Sequence, residues 1–216
     1  MPTKLTSWDD LPQSGLVAIL GHRGEGKTAL AWYLGERAHA ARRPVAAFGI
    51  VNGARRYLPG WVRHVATVQE VAKLPPSVIV ADEAAFIANA RRATSTSNVE
   101  WVKLLAVARH KGHLLLFITQ QARQLDVGLV SDADLIILKR PSLLHLRFSR
   151  PELRPELDEA FARFAKVKGD TRAWSYLADY HYGRRGWLEN PLPAFWSVNL
   201  SRAFAAIDLS EEGAAA

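Results

Sequence analysis

Cysteine is absent from all 216 residues, which excludes a disulfide framework and a thiolate metal site and leaves oxygen or imidazole to hold any metal. The longest apolar runs, such as Leu114 to Ile118 and Leu135 to Leu138, are strand-length and far below the ~20 residues of a membrane-spanning helix. Residues 1–15 carry Asp9, Asp10 and two prolines where a signal peptide would have an apolar core, so the protein is expected to stay inside the cell that makes it. No internal repeat is present. Set against these absences, 49% of the residues are apolar, enough to bury one substantial core but short for two independent domains. Lysine and arginine outnumber aspartate and glutamate by 28 to 21, a net charge of +7 that makes a polyanion a candidate partner.

Strand-like and helix-like segments alternate along the chain. Leu16 to Leu20 reads as a buried strand that runs into Gly21, His22, Arg23, Gly24, Glu25, Gly26, Lys27 and Thr28. A helix follows at once, with Leu30, Leu34, Ala38 and Ala41 on one stripe, and it must stop before Pro44. Val45 to Val51 is a second strand, Thr67 and Glu70 form a capping box over a short helix, and Ser77 to Ala81 is a third strand. The polar stretch Asn89 to Asn98 reads as a mobile loop. A second capping box, Ser97 with Glu100, opens a helix that Gly112 terminates in a left-handed conformation. His113 to Thr119 and Leu135 to Leu138 are further strands, and Glu152 to Val167 is an amphipathic helix with Leu157, Phe161 and Phe164 on one face. The segment from Thr171 to Trp196 reads as a hairpin turning at Gly183, Arg184, Arg185 and Gly186, and a last helix runs near Val198 to Ile207. The alternation predicts an α/β fold with a mainly parallel sheet.

The octet Gly21 to Thr28 fits G-x-x-x-x-G-K-[ST]. In that pattern glycines turn backbone N–H groups inward around phosphates, and the following helix N-terminus adds positive potential. Lys27 then reaches the β and γ phosphates, the Thr28 hydroxyl coordinates Mg²⁺, and Gly21, His22, Arg23, Gly24, Glu25, Gly26 and Ala29 complete the ATP-binding loop. The strand Val78 to Ala81 delivers Asp82 and Glu83: Asp82 to hold the magnesium through water, Glu83 to polarise an attacking water. A carboxylate pair can also serve a helix N-terminus through the dipole. The glutamate favours hydrolysis, because a kinase must exclude water and present an acceptor hydroxyl. Gln120 follows the next strand at the carboxyl edge of the sheet, where it serves as γ-phosphate sensor or simply solvates a loop. Arg109 ends a helix, where a cation complements the dipole or acts as an arginine finger on a neighbouring subunit's ATP.

The order of these features resembles the FtsK/HerA superfamily of DNA-pumping ATPases over about Leu16 to Pro141. There the acidic strand ends in Asp-Glu, and a helix then brings an arginine three residues before a glycine and an apolar strand ending in Thr-Gln. Arg109, Gly112, Leu114 to Ile118, Thr119 and Gln120 stand in that order here. The resemblance implies a RecA-like P-loop NTPase fold of the ASCE type, a finger role for Arg109 and a sensor role for Gln120. The short length looks most like the genome-packaging ATPases of tailless, internal-membrane double-stranded DNA viruses. The resemblance then implies a ring, expected to be a hexamer, that pumps double-stranded DNA from the host cytoplasm or a virion vertex, with a capsid-vertex or membrane protein as partner. The expected organisation is an N-terminal extension (1–15), the ATPase core (16–150), a helix and hairpin extension packed on it (151–207) and a disordered tail (208–216). The pairs Arg55/Arg56, Arg91/Arg92 and Arg184/Arg185 are DNA-channel candidates or plain surface charge. Trp174, Tyr176, Tyr180, Tyr182 and Trp187 stack on bases or, the reading favoured by strand spacing, pack in a core or interface. A small-metabolite kinase and a filamentous-phage-type export ATPase are the alternative functions.

Overall fold

A strand covered by helices on both faces must be apolar along its whole length, and the chain's apolar runs meet that condition. The computed structural model describes residues 4–50, 52–82, 97–119, 132–149 and 151–205. Among these, β1 (Gly15–Leu20), β2 (Val45–Phe48), β3 (Val62–Val65), β4 (Val78–Asp82), β5 (Leu114–Ile118) and β6 (Leu135–Leu138) pair in parallel. The hairpin β7 (Trp174–Asp179) and β8 (Arg184–Glu189) joins antiparallel at β6. The order across the sheet is β3-β2-β4-β5-β1-β6-β7-β8.

Side-chain alternation along each strand divides the core into two layers. Val17, Ile19, Val78, Val80, Leu116 and Ile118 face α1 (Lys27–Ala40), whose Leu30, Ala31, Trp32 and Leu34 are buried against them. On the other side, Leu16, Ala18, Ile79, Leu115 and Phe117 meet three helices: α3 (Val68–Ala72), α4 (Ser97–Lys111) and α6 (Arg154–Phe164). The helices α2 (Asn52–Arg55), α5 (Leu143–Phe148) and α7 (Val198–Ala205) complete the set among the described residues.

The local punctuation behaves as its chemistry requires. Thr67 and Glu70 form the expected capping box over α3. Gly112, at φ 67°, closes α4 in the left-handed region, where a side chain would be strained. The strands β3 and the helices α2 and α5 are additions to the sequence reading. Ala41 lies exposed beyond the end of α1 rather than on its buried stripe. The hairpin turns at residues 180–183, so Arg184, Arg185 and Gly186 belong to β8 and not to the turn. The stretch 89–96, the side chains of the Ser97/Glu100 box and the tail 208–216 lie outside the described residues.

Candidate active site

Because β1, β4, β5 and β6 are parallel, their carboxyl ends share one edge of the sheet, the edge where open α/β sheets hold ligands. The register fixes what gathers there. Asp82 pairs across with Ile118, and Ile118 with Ile19, so β5 stands between the strand that ends in Asp82 and the strand that feeds the glycine loop. At the sheet spacing this puts the Asp82 backbone roughly 10 Å from that of Ile19. Thr119, fully buried, donates its N–H to the Ile19 carbonyl at 3.0 Å and extends β5 by one residue over the same edge.

The loop that follows β1 is shaped by its glycines. Gly26 is the N-cap of α1 in the left-handed conformation, at φ 81° and ψ 19°, a geometry open chiefly to glycine. Gly21, at φ 149°, passes so close to the chain after β6 that a methyl group there would stand 2.7 Å from Lys139 Cβ and 2.9 Å from its carbonyl oxygen. Lys27 opens α1 with only 5% of its surface exposed. Its ammonium donates to the carbonyls of Gly21 at 2.9 Å and His22 at 3.0 Å, so the cation sits inside the loop's curve. Thr28 is half-buried beside it, Ala29 is buried in the helix, and His22, Arg23 and Gly24 are exposed at the mouth. Asp82 is half-buried at the end of β4.

No family model matches the sequence, and no curated protein matches it in sequence. Solved structures match the fold. The genome packaging NTPase B204 of Sulfolobus turreted icosahedral virus 2, in complex with ATPγS, aligns with a TM-score of 0.60 at 16% identity, covering 85% of this chain and 100% of its own. The same NTPase with AMPPCP aligns with a TM-score of 0.58 at 16% identity, over 84% and 100%. B204 from Sulfolobus turreted icosahedral virus, a DNA-packaging ATPase, gives 0.56 at 16%, over 83% and 98%. This chain has their fold. It is a P-loop NTPase fold, with a mostly parallel sheet of eight strands.

Within that fold Arg109 lies away from the glycine loop. It is near the end of α4, before β5 begins, and its guanidinium donates to the Asp132 carbonyl at 3.3 Å and carboxylate at 3.4 Å, just ahead of β6. Both positions belong to the amino edge of the parallel strands, so the length of β5, roughly 15 Å, separates Arg109 from the loop of its own chain. Val99, Val102 and Ala106 share its exposed helix face at three- and four-residue spacing. Glu83, Gln120, Arg91 and Arg92 lie outside the described residues. Arg55 and Arg56 are exposed at the end of α2, with the Arg56 guanidinium 4.8 Å from the Tyr57 ring centroid.

The arginines of β8 are committed within the protein. Arg184 pairs with buried Asp179 at 2.6 Å, and Arg185 pairs with Glu156 of α6, which also accepts a hydrogen bond from the Tyr176 hydroxyl at 2.7 Å. Burial, with the Glu156 carboxylate, raises the Tyr176 phenol above its ordinary range. Trp174 and Trp187 stack on each other at 5.5 Å between centroids, and Phe164 meets Trp187 edge-on. These aromatics therefore pack the hairpin against α6.

The sequence reading missed a third contributor to the loop. Thr171 donates its hydroxyl to the Glu25 carboxylate at 2.9 Å, and Arg172 packs against Gly26. Lys139, fully buried, lies under Gly21. Its signal was present, since it is a polar residue at the end of an apolar strand, the same cue that singled out Gln120.

Proposed function

We propose that this chain is an ATPase that uses hydrolysis of Mg-ATP to translocate double-stranded DNA, packaging a viral genome into a preformed capsid. The observation that carries the reading is Lys27, a buried ammonium enclosed by a glycine-shaped loop at the sheet edge that also carries Asp82. In this assignment Lys27 and the loop's N–H groups, from Gly21 through Ala29, hold the phosphates. The Thr28 hydroxyl and the Asp82 carboxylate are oxygen donors of the kind Mg²⁺ takes beside phosphate oxygens. Glu83 accepts a proton from the attacking water, and Gln120 senses the γ-phosphate.

Arg109 serves a neighbouring subunit in a homo-oligomeric ring, taken to be a hexamer. Its place at the opposite edge from its own loop, beside exposed apolar residues of α4, supports that role. Residues 16–150 are assigned as the ATPase core and 151–207 as its helix and hairpin extension. Genome packaging rests on the likeness of fold to B204 over nearly all of that NTPase's length. Among the described residues no helix is long and apolar enough to cross a membrane. A capsid vertex or membrane protein is the partner this reading expects.

The test is the ATPase rate with and without double-stranded DNA at several salt concentrations. Stimulation by DNA that fades steeply with salt and ignores sequence supports translocation, because counterion release drives such binding. Phosphate transfer to a small acceptor, with no response to DNA, would instead identify a metabolite kinase.

A further inference from the structure

A lysine ammonium taken out of water is costly unless acceptors surround it closely. Lys139 has no measurable exposure, and its ammonium donates to the carbonyls of Arg172 at 2.7 Å and Trp174 at 2.5 Å and to Asn190 Oδ1 at 2.8 Å, with Ser175 Oγ at 3.3 Å. Asn190 in turn accepts from Ser175 Oγ at 2.7 Å and donates to the Arg172 carbonyl at 3.1 Å. Every one of these acceptors belongs to the turn before β7 or to the ends of the hairpin. The backbone of the same lysine belongs to the loop: its N–H donates to the Leu20 carbonyl at 2.7 Å, and Gly21 passes over its Cβ. The following residue continues the contact, since the His22 N–H donates to the Arg140 carbonyl at 3.0 Å.

The segment that Lys139 holds touches the loop a second time. Thr171 bonds Glu25, and Arg172 lies against Gly26, the residue before Lys27. The glycine loop is thus fixed at Gly21 by the Lys139 backbone, at Gly26 by Arg172, whose carbonyl the Lys139 side chain grips, and at Glu25 by Thr171, the residue before it.

We propose that Lys139 is a positioning residue for the phosphate loop, coupling the geometry of Gly21 to Lys27 to the β7–β8 hairpin through its buried ammonium. The proposal rests on the reading that this loop holds the phosphates of ATP. Fully buried, Lys139 acts through the loop: it sets where the phosphate donors are held, and misplacement by about 1 Å is enough to slow an enzyme by up to ~10²-fold.

Burial pushes Lys139 down to about 7, against the pull of the Glu25 and Asp170 carboxylates. The charged groups that face it are Glu25 from the loop and Asp170, with its partner Arg172, from the turn. A solvated lysine keeps its proton to a higher pH than this buried one, so raising pH through about 7 favours the docked side chain over a released one.

The test compares wild type, Lys139→Met, Asn190→Asp and Lys27→Ala as full-length chains, by nucleotide binding and by kcat and KM for ATP from pH 6 to 8.5. In folded Lys139→Met, kcat/KM is expected to fall roughly tenfold at pH 6, mostly through KM. The loss should persist from pH 6 to 8.5, because deprotonation does not release the buried side chain. Asn190→Asp removes the N–H that holds the Arg172 carbonyl and should lower kcat/KM in the same direction by less, which keeps the proposal testable if Lys139→Met does not fold. Wild-type kcat/KM in folded Lys139→Met or, if that variant does not fold, in Asn190→Asp overturns it. Wild-type nucleotide binding by Lys27→Ala would overturn instead the loop assignment on which the proposal stands.

Discussion

Lys27 is buried at the start of α1, and its ammonium donates to two carbonyls of the glycine loop itself, so the cation is held within the loop's curve. In the proposed reading that ammonium meets the phosphates of ATP. Lys27→Ala is therefore expected to abolish detectable Mg-ATP binding while leaving the thermal unfolding midpoint of the free protein close to wild type, as read by titration with a fluorescent ATP analogue and by calorimetry; unchanged affinity would sink the loop assignment. Glu83 tests the other half of the chemistry. Glu83→Gln keeps the shape and removes the base, so binding should persist while turnover drops by roughly 10²-fold or more in a single-turnover assay. Loss of binding with unchanged turnover per bound ATP would make Glu83 a structural residue.

At the scale of elements, the hairpin is held to α6 by one polar cluster as well as by its aromatics. Glu156 is buried and serves both Arg185 and Tyr176, so Glu156→Ala leaves a half-buried guanidinium short of its anion and a buried phenol short of its acceptor. The expected cost is about 2–4 kcal/mol, seen as a lower urea midpoint with an unchanged slope; an unmoved midpoint would show the cluster to be neutral. The elements legible in the sequence were those with a strong local signal. The doubly buried strands β1, β4, β5 and β6 read as unbroken apolar runs, and the capped helix α3 announced its start through Thr67 and Glu70. The strand β3 did not, because it lies at the sheet edge with Arg63 exposed and so breaks the apolar run. Arg184 and Arg185 looked like free surface charge because their partners, Asp179 and Glu156, are set by tertiary packing. The place of Lys139 at a strand end was legible, but its partners were not, for the same reason: three of its four acceptors are more than thirty residues away in sequence and the fourth more than fifty.

At the scale of the whole molecule, the separation of Arg109 from its own glycine loop by the length of β5 requires a second copy if the arginine is to reach ATP. In one chain it rests on Asp132, an exposed pair that contributes little to stability, so its removal should be tolerated by the fold. Arg109→Ala is expected to bind ATP nearly as wild type does and to lose turnover by about 10³-fold, the lower end of what an arginine finger contributes. Mixing Arg109→Ala with Glu83→Gln tests the geometry. Each variant alone should be nearly inactive, for different reasons, yet a mixed ring would contain interfaces at which an intact Glu83 site meets an intact Arg109 from the next subunit. Hydrolysis should therefore reappear on mixing, in proportion to such interfaces, if subunits fire without strict ring-wide coordination. A finger acting on its own chain's ATP cannot give this result, because every chain in the mixture carries one of the two defects. Absence of recovery in rings shown by mass spectrometry to be mixed would leave the trans assignment without support, and full activity of Arg109→Ala alone would rule it out.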